Sequence, residues 1–268
     1  MCPHKHQLAY RERWEPEKEA PALSKGRLFH DVLAAHYLAT RDGLSPSSGV
    51  TNVLVGCPDE ELTELVSWMY VGYLDAYGLD PDWEILEVES TREIWLPTER
   101  GGRSGFRLKV KIDLLIRDEV GRTWLVDHKT AGDFASELGL DLDDQFSLYQ
   151  WALERCGVPV HGVIYNCART RRNKTPMTLE QRFRRVMLYR TPEQLQNTAI
   201  DAWRTARRMS KACERTTNSD RCTWGCSFTE PCLHGRKGGD EHDFLLSSGY
   251  RQWTNGNGND RAGESEES

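Results

Sequence analysis

The 268-residue sequence predicts an α/β fold, a central mixed β-sheet flanked by helices, with a helical, cysteine-rich C-terminal element. Two observations carry the sheet and its helices. Segments around residues 84–96, 106–117, 122–130, 159–168 and 182–190 have strand-like length and alternation. Longer segments at 24–40, 59–77 and 144–156 carry apolar residues at helical spacing. A third observation, thiols crowded into a turn-rich stretch near residue 225, marks the C-terminal element.

In chain order, Cys2 and Pro3 precede a helix carrying Leu8, Tyr10 and Trp14. Ser24 reads as the cap of the next helix, in which Leu28, Phe29, Val32 and Leu33 form the apolar stripe. Gly26 costs about 1 kcal/mol in a helix interior, so its use there signals close approach by another element. His30 follows one turn later. Residues 44–58, rich in Ser, Gly and Pro, read as a loop, and Asp59 starts an amphipathic helix. In the strand that follows, Glu87 and Glu89 share a face, with Glu87 the acid weighed as an outer member of a site.

Leu108 to Thr130 reads as a β-hairpin. Leu108, Val110 and Ile112 alternate with Lys109, Lys111 and Asp113, so the apolar set faces a core and Asp113 faces away. A turn across Asp118–Arg122, containing Gly121, reverses the chain. On the second strand Leu125, Asp127 and Lys129 share one face. Two carboxylates on adjacent strands, with an ammonium two residues past the second, could hold a divalent cation and a water beside it. That is hydrolytic apparatus for a phosphodiester. The plainer reading is a solvated face with a weak ion pair.

Past the hairpin, Asp143 or Asp144 caps a helix on which Gln145 and Tyr149 lie one turn apart on the same side. Two further strands are joined by the basic loop Arg169–Lys174, and a helix from Thr191 to Cys213 has Pro192 in its first turn. Residues 239–268, acidic and rich in Gly, Ser and Asn, are expected to be a disordered tail.

Net charge is −6, unevenly spread: Arg169 to Arg215 holds thirteen bases against four acids. Such a belt is either a local polyanion track, with Arg169, Arg171, Arg172 and Lys174 as its contacts (DNA-binding residues if the polyanion is DNA), or a set of solvated faces. No apolar run reaches the eighteen residues of a membrane span, and the N-terminus lacks a secretory pattern. A cytoplasmic protein is expected. Its eight cysteines then point to metal or cluster ligation rather than disulfides. Cys222, Cys226 and Cys232 fall within eleven residues, and Cys2, Cys213 and His234 are candidates for a fourth ligand. Such thiolates suit zinc or an iron–sulfur cluster.

In order along the chain stand Cys2-Pro3, Gly26-x-x-x-His30, Lys111-Ile112-Asp113, Val126-Asp127-His128-Lys129-Thr130, Gln145-x-x-x-Tyr149 and the cysteine triplet. This ordered set, spanning about residues 2–235, resembles the RecB-like branch of the PD-(D/E)xK nuclease superfamily. The nearest form is the CRISPR-associated and phage-type exonucleases with a cysteine-bound iron–sulfur cluster, related to the AddB nuclease domain. The Cys222-x-x-x-Cys226 spacing is one residue longer than is common there.

The resemblance implies a restriction-endonuclease-like core over residues 1–238, closed by its terminal cysteines. It implies an Mg²⁺- or Mn²⁺-dependent DNA exonuclease acting on single strands or DNA ends, in a bacterium or a phage-infected host. Partners would be recombination, repair or CRISPR-adaptation proteins. By the same resemblance His30, Asp113, Asp127 and the His128 main-chain carbonyl bind the metal. Lys129 stabilises the developing charge, and Gln145 and Tyr149 shape the site wall. Cys2, Cys222, Cys226 and Cys232 hold a [4Fe–4S] cluster, with Cys213 as alternate ligand and zinc as the alternative ion. The competing reading is a catalytically silent nucleic-acid-binding subunit.

Overall fold

The computed structural model describes residues 2–18, 20–173, 175–211, 215, 222, 223 and 225–254. The chain divides into two compact units, one of residues 1–20 with 201–268 and one of residues 21–200. The first opens with helix α1 (Pro3–His6), a single π-helical turn over Gln7–Arg11 and strand β1 (Trp14–Pro16).

The second unit begins with three helices, α2 (Pro21–Arg41), α3 (Pro46–Val55) and α4 (Glu60–Tyr77). Strands β2 (Glu84–Pro97), β3 (Arg103–Arg117) and β4 (Thr123–Ala131) follow. After them come α5 (Glu137–Asp141), α6 (Asp144–Arg155) and β5 (Gly162–Arg169). The short α7 (Leu179–Arg182) leads into β6 (Phe183–Leu188), and α8 spans Pro192–Lys211. The sheet order is β2-β3-β4-β5-β6, with β4 and β5 parallel and the other neighbours antiparallel. This is the mixed sheet the sequence predicts.

Period-two alternation gives each strand one residue set per sheet face. Leu114, Val126 and Ile164 form a core with Phe29, Val32 and Leu33 of α2 and with Val66 and Met69 of α4. On the other face Phe146 of α6 meets Tyr165 edge-on, with ring centroids 5.9 Å apart. Each large side chain buried so fully contributes about 1.5–3 kcal/mol. Asp59 accepts from the Leu62 N–H and Asp143 from the Gln145 N–H, which fixes where α4 and α6 start. The hairpin turn is held by Asp118, whose carboxylate accepts from the Val120 and Arg122 N–H groups and the Trp124 indole.

Four expectations are corrected. The first helical segment does not carry Trp14, which opens β1 after the π-helical turn ends at Arg11. Residues 44–58 are not a loop: Pro46 starts α3, and Val50, 4% exposed, packs into the α2/α4 core, so burial overrides a turn-like composition. Ser24 is no cap, because α2 begins three residues earlier at Pro21. Of the expected disordered tail, residues 239–268, the part up to 254 is described and contains regular structure, and residues 255–268 lie outside the described residues. Glu241–Ser247 is helical, capped by Asp240, and Tyr250–Gln252 forms β7, antiparallel to β1. Leu245 is completely buried in a cluster with Leu8, Trp14 and Phe228, all of the same unit, and that apolar anchor outweighs the acidic surroundings.

Candidate metal centre

The hairpin strands part company at one point. β3 and β4 pair from Arg117↔Thr123 to Leu114↔Val126, and beyond that β3 continues with β2 as its one strand partner among the described residues. At the fork the ladder is replaced by a side chain: the His128 N–H donates to Asp113 Oδ2 at 2.8 Å. That carboxylate also lies 3.6 Å from His30 Nδ1 on α2. The helix comes so close because of Gly26, where a Cβ would stand 3.2 Å from the Thr130 hydroxyl.

Glu89 completes the group. Val88 pairs with Leu114 and Ser90 with Ile112, which sets Glu89 opposite Asp113. Its backbone has φ 51°, a left-handed conformation that a side-chain-bearing residue seldom adopts. The ligand atoms of His30, Glu89 and Asp113 all lie within 4.8 Å of one another. Two carboxylates set opposite each other across strands repel, and the Lys111 ammonium stands 2.7 Å from Glu89. An imidazole nitrogen and carboxylate oxygens converging in this way fit a hard divalent cation such as Mg²⁺ or Mn²⁺.

Asp127 lies on the adjoining strand, 2% exposed. Its Oδ1 accepts from Lys129 Nζ at 2.9 Å and from Gln145 Nε2 at 3.3 Å. The two acids are driven apart electrostatically. Burial would raise the Asp113 carboxyl, but His30 and the His128 main chain outweigh it and hold it at about 2. Burial, opposed by Lys129 and reinforced by Asp113, pushes Asp127 up to about 6. His30 is raised, since the Asp113 carboxylate more than offsets its burial. Burial also raises Tyr149, against a hydrogen bond from Gln145.

Beneath β4 lies a buried polar network. The His128 ring, stacked on Tyr37 with centroids 5.7 Å apart, meets Asn166 at 2.8 Å. Asn166 also donates to Tyr73 and accepts from Arg185, and Arg185 forms a two-pronged pair with Asp80. Burial brings the His128 imidazole down to about 3, so the ring is neutral.

The structure therefore brings His30 and Asp113 together and sets Asp127, Lys129, Gln145 and Tyr149 on the neighbouring strand and helix. Glu87, weighed as an outer acid, stands outside the His30–Glu89–Asp113 group and is paired with Arg92 at 2.5 Å. Glu89 is the residue that sequence reasoning missed. Of the basic loop, Arg169 pairs with Asp133 and Arg172 with Glu64, Arg171 is exposed, and Lys174 lies outside the described residues.

In the other unit Cys2, Cys222, Cys226 and Cys232 are half-buried thiols. The Cys232 thiol is raised by burial and then by Glu241, with Cys2 and Cys226 near enough to add to the shift. Thr229 donates to the main-chain carbonyls of both Cys222 and Cys226. His4 and Glu241, 2.7 Å apart, stand with Cys232 as a second potential ligand group. Cys213 lies outside the described residues.

The sequence model of a family described as the PD-(D/E)XK nuclease superfamily matches residues 1–233. No curated protein matches the chain. Among solved structures, a protein of Eubacterium rectale provisionally designated an exonuclease aligns at 10% identity and TM-score 0.47, over 84% of this chain and 86% of that one. The crystal structure of SSO0001 aligns at 13% identity and TM-score 0.36, over 85% of this chain and 90% of that one.

Proposed function

The chain belongs to the PD-(D/E)XK nuclease superfamily, and from that premise we propose that it is a deoxyribonuclease, dependent on Mg²⁺ or Mn²⁺, that works as an exonuclease on single strands or DNA ends. One observation carries the reading: an imidazole and two carboxylates, from a helix and two strands, converge at the fork where β3 parts from the strand that carries Asp127 and Lys129. A cation held there supplies an acidified water and charge neutralisation at the phosphate.

The chain's own groups do the rest. His30, Glu89, Asp113 and Asp127, with the His128 carbonyl, provide the ligand set. Lys129, held 2.9 Å from Asp127, orients the attacking water and donates to the phosphoryl oxygen as negative charge builds on it. Gln145 fixes Asp127 from the other side, and Tyr149, one turn along α6, lines the wall against which the substrate strand lies. His128 stays neutral and buried, so its ring serves to hold β4 in place.

For the other unit the proposal is a structural [4Fe–4S] cluster on Cys2, Cys222, Cys226 and Cys232. Tetrahedral zinc is the alternative, and iron and sulfide analysis of anaerobically purified protein separates the two. Among the described residues no helix is long and apolar enough to cross a membrane. The setting that goes with this activity is recombination, repair or phage DNA metabolism. Digestion of end-labelled linear and circular DNA with Mg²⁺ or Mn²⁺ tests the reading: labelled linear DNA is lost and circles persist. Retention of both without degradation would favour a silent binding subunit.

A further inference from the structure

The hairpin does more than deliver Asp113. Beyond the fork, β3 runs on from Asp113 to Arg103 with β2 as its partner among the described residues, and β2 is an edge of the sheet. The two strands thus form a ribbon leading away from the metal centre. Strand alternation places Arg107, Lys109 and Lys111 on the same side as Asp113, with about 6.8 Å between successive side chains. Trp95 pairs with Arg107 across the ribbon and carries the Arg103 guanidinium 3.7 Å above its ring, which extends the cationic row toward the tip.

Acids stand along this side of the ribbon as well. Glu93 stands 3.3 Å from Arg107, and Glu89 belongs to the metal group. The Arg107 and Lys111 side chains are 47% and 54% exposed. Such exposed pairs are worth about 0–1 kcal/mol and are readily exchanged for a phosphate. A file of cations ending at a hydrolytic carboxylate is complementary to a polyanion being fed to that carboxylate.

We propose that the β2–β3 ribbon is a nucleic-acid track, in which Arg103, Arg107, Lys109 and Lys111 hold the sugar–phosphate backbone of a DNA strand on its way to Asp113. This rests on the nuclease reading above and adds the surface that presents the substrate. The alternative is that the cations only keep an exposed sheet edge from pairing with other chains.

The test is fluorescence anisotropy of a labelled oligonucleotide, single-stranded in one arm and blunt duplex in the other. Ca²⁺ replaces the catalytic cation, and NaCl is titrated. The R107S/K109S variant is compared with R117S/R122S, which removes the same charge from exposed arginines at the closed end of the β3–β4 hairpin. For the single strand, the slope of log affinity against log salt should fall by about 1.4 in R107S/K109S. R117S/R122S should keep the wild-type slope. Thermal melts establish that both variants fold. Equal slopes in the two variants, in both arms, overturn the track. Digestion by the wild type reads the nuclease proposal separately. Ribbon-dependent binding by a wild type that leaves DNA intact would refute the nuclease and keep the track, while digestion with slopes equal in both variants would refute the track alone.

Discussion

Glu89→Gln is expected to move stability and metal affinity in opposite directions. The carboxylates of Glu89 and Asp113 have ligand atoms within 4.8 Å. Two unit charges at that separation repel by about 3.5 kcal/mol at an effective permittivity of 20 and by about 0.9 kcal/mol in water. Their side chains are 26% and 13% exposed, so the repulsion falls between those limits. The substitution also gives up the Lys111 pair, worth about 0–1 kcal/mol. The metal-free variant should therefore gain about 1 kcal/mol, a rise of about 2–4 °C in Tm. Losing a charged ligand should weaken Mn²⁺ binding at least as much as losing an outer-shell partner, about 10–100-fold. Differential scanning fluorimetry with and without Mn²⁺ reads both effects. A metal-free variant that melts lower than wild type, with an undiminished Mn²⁺-induced rise, would refute the reasoning.

Lys129→Ala should lower kcat by about 10²–10³-fold while Mn²⁺ still binds, because the ammonium that sits on Asp127 has been removed; loss of metal binding instead would reassign Lys129 to a structural part. Asp127→Asn gives a pH signature in the metal-free protein. The wild-type carboxyl is raised to about 6 in the fold, so the stability it contributes is present below its unfolded value near 4 and lost as pH rises through about 6. The stability of the Asn variant relative to wild type should therefore climb over that window and level off above it, and a difference independent of pH would contradict the burial argument. Asp80→Ala strands the Arg185 charge and should cost about 3–5 kcal/mol, with part of the loss recovered in the double variant carrying Arg185→Met. Urea denaturation of the set checks this, and an additive double variant would mean that the pair is not coupled.

Much of this centre was legible from periodicity alone. Counting by twos put Asp113 on one strand and Asp127 with Lys129 on the next, and the structure places them as neighbours. Gly26 likewise announced a close approach, which turns out to be by Thr130. What was hidden depended on non-local geometry. Counting by twos leaves Glu87 and Glu89 equivalent, and nothing in their spacing reveals a register shift between Ile85 and Glu87 or a left-handed backbone at Glu89. The Asp80–Arg185 pair joins residues 105 positions apart, and nothing local to Asp80 names its partner. Helix α3 is short and opens on Pro-Ser-Ser-Gly, the 241–252 segment is short and polar, and each is held by a few buried anchors, Val50 in one and Leu245 in the other. Those anchors matter only once their distant partners are in place.

The central claim is that His30 joins the acids of the strand fork around one cation. Pulsed electron paramagnetic resonance of protein loaded with one equivalent of Mn²⁺ addresses it without reference to turnover. A modulation from a directly bound imidazole nitrogen is expected in the wild type and should vanish in His30→Gln, with the ion held more weakly. Mn²⁺ bound tightly with no nitrogen modulation, or with one that survives the substitution, would contradict it.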